Sequence, residues 1–144
     1  MIATLLQLWL ASLIGSAAQS YVQLAEVVCA ECSICAADEQ VEIARVALRR
    51  ARQAPWAKQG LSGLLRAPAQ WATPSGHCLV RSELRTEPRR WRNYLAAVVL
   101  ARRELATHGP VFFHTRRLGR IWTFPEQPVP RSWHHRFFLA EARP

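Results

Sequence analysis

Apolar positions recur along this chain at two periods, first helical and then, near the end, that of a strand. From Val22 through Ala25, Val28 or Cys29, and Cys32, they return every three or four residues, as on a helix with one buried face. Ser20, with Gln23 three residues on, fits a capping box, so the spacing predicts a helix from Tyr21 to about Glu31. Val41, Ala44, Leu48 and Ala51 repeat the period, with Glu42, Arg45, Arg49 and Arg52 on the face expected to be wet. Asp38 is the expected N-cap of that second helix, with Glu39 and Glu42 in its first turns, and Pro55 closes it. Leu61, Leu64 and Leu65 suggest one or two further turns, followed by a loop from Pro68 to Gly76. A third main helix is expected from Thr86-Glu87-Pro88, with Trp91, Leu95, Val98, Ala101 or Arg102, and Leu105 as its core stripe, and Gly109-Pro110 as its stop.

Beyond Pro110 the pattern changes. Residues 111–115, 120–124 and 135–139 are short aromatic and β-branched runs, parted by Gly119 and by a proline-rich link from Pro125 to Pro130. They predict a small antiparallel sheet packed on the helices. The fold class is therefore α+β, mainly helical, in a single domain without internal repeats.

Composition sharpens this picture. Half of the 144 residues are apolar and six are Trp, which excludes a disordered chain. The net charge is +9, and its distribution is uneven: the first of the 19 Lys and Arg is Arg45, and all but one of the 19 are Arg. So basic a surface suits an anionic partner: nucleic acid, anionic lipid or the acidic polymers of a bacterial envelope.

Residues 1–18, MIATLLQLWLASLIGSAA, carry no charged side chain. They are too short for a secure membrane span. Ser16-Ala17-Ala18 after the apolar run matches a secretory signal cut before Gln19, or an uncleaved N-terminal anchor. A buried first helix is the alternative. Export to the periplasm or cell envelope is the favoured expectation.

Four cysteines are present, three of them at C-x-x-C-x-x-C spacing: Cys29, Cys32, Cys35 and, later, Cys78. The spacing invites a metal or iron–sulfur reading, with His77 or Cys78 as a further ligand. Regular helix geometry keeps residues three apart from bonding to each other; a bridge from Cys32 or Cys35 to Cys78 is open in an oxidising compartment, and the sequence does not fix the connectivity.

Within that cysteine-rich turn lies Glu31, with apolar or sulfur neighbours on nearly every side in the sequence. Such surroundings, together with a helix C-terminus, favour the protonated acid, the form a general acid needs. The bland alternative is a carboxylate on the exposed stripe of an amphipathic helix.

Taken together these pieces resemble the SleB-type cell wall hydrolases, the spore-cortex-lytic enzymes that also occur in bacteriophages. Ala30-Glu31-Cys32 resembles the family's Ala-Glu-Ala, and nine residues lead from Glu31 to Gln40 as in the family's turn. Val41 to Arg50 resembles the helix that follows, and Pro68-Ala69-Gln70-Trp71 the Pro-x-Gln-Phe loop. Ala97 to Leu100 resembles the helix before the sheet. Phe113-His114, Trp122 and His135-Arg136-Phe137 resemble the aromatic and histidine elements of the sheet itself. The likeness covers roughly Tyr21 to Leu139. Ile34 stands where the family has Gly, Arg49-Arg50 where it has Asn-Arg, and the three cysteines are not a family feature.

The resemblance implies a lysozyme-like catalytic domain over residues 19–144 that cleaves the N-acetylmuramic acid–N-acetylglucosamine bond of peptidoglycan. Glu31 would be the single general acid and base of a lytic transglycosylase. It would protonate the leaving oxygen, then take the proton of the sugar's own 6-hydroxyl as that attacks. Gln70, Trp71, Phe113, Trp122 and His135 would bind the glycan. No cofactor or metal is implied, and a monomer is expected. The rival readings are a small basic nucleic-acid-binding protein, with Arg and Trp for phosphate contact and base stacking, and a cysteine-based metal module.

Overall fold

The structure is a computed structural model, and it describes residues 18–53, 55–67, 71, 88–119 and 122–140. Helix α1 is already formed at residue 18 and runs to residue 32. Ser20 therefore lies inside the helix and does not cap it; Ala18 and Gln19 before it are already helical. Helix α2, Ala37–Arg50, starts one residue before the expected cap. Ala36 is its N-cap, and Asp38 accepts instead from the Glu39 N–H at 2.9 Å in the first turn. A 3-10 turn, Trp56–Gln59, leads into the short helix α3, Gly60–Arg66. Helix α4 covers Pro88–Arg103.

Helix α2 is the axis of the molecule. Eleven of its 14 residues are buried, too many for the wet face expected of it. It packs against α4, α3 and the sheet. Ala44 and Ala47 on α2, and Ala97 and Ala101 on α4, are buried at the core, where small side chains let two helices approach closely. The buried stripe of α4 is Tyr94, Ala97, Val98 and Ala101, rotated from the expected one, and Trp91 and Leu95 sit at its edge.

The buried charged residues of α2, Glu39, Glu42, Arg49 and Arg50, each have polar partners, some on the same helix and some distant in sequence. Glu42 pairs with Arg49 at 2.9 Å and with Arg45 at 3.1 Å, and Arg45 also reaches Glu104 at 3.2 Å. Arg49 donates to the Pro110 carbonyl at 3.1 Å, and Arg50 Nε to the Val111 carbonyl at 2.6 Å. The Arg49 guanidinium occupies the space a β-carbon at Gly109 would need. Gly109 therefore serves a close approach and is not the expected helix stop, since α4 ends at Arg103.

Three strands form one antiparallel sheet in the order β1-β3-β2: β1 is Phe112–Thr115, β2 Glu126–Gln127 and β3 His135–Phe138. Phe112 faces Phe138 across one ladder and Thr115 faces His135. The strand expected over 120–124 is not formed by residues 122–124; the pairing segment lies in the proline-rich link, where Glu126 faces Phe138. Prolines are tolerated there because β2 is an edge. Trp122 and Phe124 instead fold over the sheet: Phe124 stacks on Phe112 at 5.0 Å, and Trp122 meets His114 at 5.0 Å.

The described architecture is α+β and mainly helical, with a small C-terminal antiparallel sheet, as the sequence predicts. Among the described residues no helix is long and apolar enough to cross a membrane. Residues 1–17, Gln70, His77 and Cys78 lie outside the described residues.

Candidate functional site

Helix α1 ends at residue 32, and Cys35 already lies past the turn. Regular helix geometry therefore no longer separates Cys32 from Cys35, and the two form a disulfide with Cα atoms 5.3 Å apart. This overturns the expectation that neither could bond to the other. Cys29 is disulfide-bonded as well, so the metal module built on Cys29, Cys32 and Cys35 does not hold thiolates in this state. Sulfur, imidazole and carboxylate atoms do gather here: Cys32, Cys35 and His134 form one group, and Cys35, Glu39 and His135 another. Cys35 Sγ lies 3.8 Å from His134 Nδ1 and 3.9 Å from His135 Nδ1.

The disulfide fixes the turn directly after Glu31. Glu31 is half-buried and lines a cleft of about 550 Å³. Residues from several elements line that cleft. The end of α1 brings Glu31, and the end of α2 brings Arg50. The 3-10 turn brings Trp56, strand β1 brings Phe112, Phe113 and His114, and β3 brings His135; Trp71 and Trp122 complete the walls. Four of the five sequence-predicted binding residues thus share one cavity with Glu31, and Gln70 falls outside the described residues. Among the described residues that line it, Glu31 is the single carboxylate.

The sequence missed Arg50. Its guanidinium sits over three rings, 4.9 Å from the Trp71 centroid, 5.4 Å from Phe112 and 5.6 Å from Trp56. Burial pushes its pKa down to about 10, against the pull of the Glu31 carboxylate, which raises it. Arg50 is therefore still a cation at neutral pH. The surroundings of Glu31 are not purely apolar, as the sequence suggested: a buried cation attracts its charged form. A long helical repeat gives no hint of this, since Arg49 and Arg50 look like the solvated end of α2.

Trp71 is buried and donates from Nε1 to the Leu64 carbonyl at 3.0 Å, which sets one wall. Phe113 stands edge-on to His135 with centroids 5.3 Å apart. His135, 2 % exposed, is held by Glu39, which is fully buried. Glu39 Oε1 accepts from the backbone N–H of His134 at 2.8 Å and of His135 at 2.9 Å, and lies 2.8 Å from His135 Nδ1. The sequence assigned Glu39 to helix capping; the structure makes it a clamp between α2 and β3. Burial keeps the His135 pKa below its usual value, outweighing the opposing pull of Glu39. His134, expected to be bland, packs its ring beside the disulfide.

The arrangement offers one partly exposed carboxylate, a neutral imidazole and a buried cation in an aromatic trough. Flat apolar walls with few polar groups suit stacking on a sugar ring. No family model, no curated protein and no solved structure matches the chain.

Proposed function

We propose that the chain is a peptidoglycan glycosidase that cuts the N-acetylmuramic acid–N-acetylglucosamine bond as a lytic transglycosylase, with Glu31 as its general acid. The observation that carries this reading is the position of Glu31, the single carboxylate among the described residues that line an aromatic cleft. Two-carboxylate glycosidases place a second acid across the scissile bond. With one, the attacking group is best supplied by the substrate, here the 6-hydroxyl of the muramyl sugar. Glu31 gives its proton to the leaving oxygen as that bond breaks. The 6-hydroxyl closes on the same carbon, and a 1,6-anhydro end is left without consuming water.

Trp71, Phe113 and Trp122 are the stacking platforms in this reading, and Arg50 faces the acidic groups of the muramyl unit. The protein acts outside the cytoplasm, delivered by residues 1–18 as a signal or anchor, as a monomer of lysozyme-like type. The exposed arginines of α4, among them Arg89, Arg90 and Arg92, dock it to acidic wall polymers or anionic lipid. Purified full-length chain is expected to solubilise dye-labelled peptidoglycan. Glu31→Gln should slow this by at least about a hundredfold while leaving the circular dichroism spectrum unchanged. Equal rates for the two proteins would refute the assignment.

The nucleic-acid reading gains nothing from the cleft, whose described lining holds one arginine and one carboxylate. A stoichiometric, salt-sensitive gel shift without lytic activity would reinstate it.

A further inference from the structure

We infer that Glu39 and His135 act as a carboxylate–imidazole pair that supplies the base of the reaction, leaving Glu31 the acid alone. This rests on the proposed cleavage of a glycan in the cleft and divides its proton transfers between two groups. The inference begins from geometry. Glu39 is fully buried, and its Oε1 lies 2.8 Å from His135 Nδ1. A carboxylate accepts only, so Nδ1 carries the hydrogen and Nε2 keeps the lone pair. The His135 ring lines the same cleft as Glu31. The two backbone N–H groups that Glu39 also holds fix the carboxylate in place, and with it the imidazole plane.

This is the arrangement by which a buried acid orients a histidine and stabilises the imidazolium that forms on it. Its burial away from water also keeps the imidazole neutral and ready to accept near neutral pH. In the reaction, Glu31 passes its proton to the glycosidic oxygen as the bond to the muramyl C1 breaks. The 6-hydroxyl forms the new bond to C1, and its proton goes to His135 Nε2. The products are the freed 4-hydroxyl end and the 1,6-anhydro end. Glu31 is left as a carboxylate and His135 as an imidazolium beside Glu39, and one proton moved from His135 to Glu31 through solvent restores both. Glu39 is a positioning residue, and His135 touches the reacting hydroxyl.

Glu39→Gln is the discriminating variant. The oxygen that lies 2.8 Å from Nδ1 is the one that accepts from both backbone N–H groups, so the amide oxygen takes its place and still accepts from Nδ1–H. The variant removes only the negative charge that stabilises the imidazolium. Nitrogen-15 NMR of the imidazole should show Nδ1–H in the parent and in Glu39→Gln alike, so that a loss of turnover in the variant reports the missing charge. The turnover of the variant on purified glycan strands should fall at least about a hundredfold with little change in KM. His135→Asn, which keeps a donor for Glu39 but has no ring nitrogen to accept, should lose as much turnover. An Nε2–H tautomer in the parent, or a parent-like turnover in either folded variant, would overturn the pair. A parent chain with no lytic activity would instead overturn the glycan reading on which the pair depends, whatever tautomer the NMR reports.

Discussion

Arg50 is the residue whose position demands the most explanation. A depression of its pKa from 12.5 to about 10 corresponds to on the order of 3 kcal/mol against the charged form. The Val111 carbonyl and the three aromatic rings offset part of that cost. Arg50→Met leaves the buried Val111 carbonyl without its donor, so it is expected to lower stability by about 1–3 kcal/mol as well as lowering activity on glycan. Removing the cation also removes the attraction that favours the Glu31 carboxylate, so the residual activity should extend to higher pH. Calorimetry and a rate–pH profile check both halves. His135 makes a second prediction at this scale. Its folded pKa lies below the unfolded 6.5, with Glu39, His134, His114 and the Cys35 sulfur around it and Glu31 and Arg50 lining the same cleft. The unfolded state binds the proton first, so the contribution is intact above pH 6.5 and is lost as pH falls through the folded value. The melting temperature of the parent should drop below pH 6.5 more steeply than that of His135→Asn; parallel curves would contradict this.

Among the elements, those set by local periodicity were legible in the sequence. The apolar repeat through Val28 and Cys32 located α1 and put Glu31 at its end, and the Phe-rich runs located β1 and β3. What was not legible depends on partners far along the chain. Glu39 and His135 are separated by 96 residues, and Arg49 and Pro110 by 61, so nothing local marks them as buried. Strand β2 was misplaced because Trp122 and Phe124 have strand-like chemistry but serve to cover Phe112. The Cys32–Cys35 bond was excluded by assuming that the helix continued. Its closed loop is short, with a sequence separation of 3, so the chain-entropy contribution is about 2 kcal/mol. Replacing both cysteines by Ser should lower the melting temperature by roughly 5 °C. Catalysis should suffer more than stability, since the bond fixes the turn that follows Glu31; kcat measured well below the melting point would show it.

At the scale of the whole molecule, the charge and the cleft do different work. The arginines of α4, Arg89, Arg90, Arg92, Arg102 and Arg103, are exposed, whereas the one in the cleft is buried. Exposed charges act over a Debye length of about 8 Å at physiological ionic strength and are screened by salt. Changing Arg89, Arg90 and Arg92 to Glu should weaken sedimentation with intact walls bearing acidic polymers, while turnover on short soluble glycans stays at the parent value. The account as a whole depends on Glu31 as the proton donor to a glycosidic oxygen. Mass spectrometry of the fragments released from purified peptidoglycan tests it most directly. The parent should yield muropeptides ending in 1,6-anhydro-N-acetylmuramic acid, and Glu31→Gln almost none; anhydro ends released equally by both proteins, or no fragments from the parent, would contradict it.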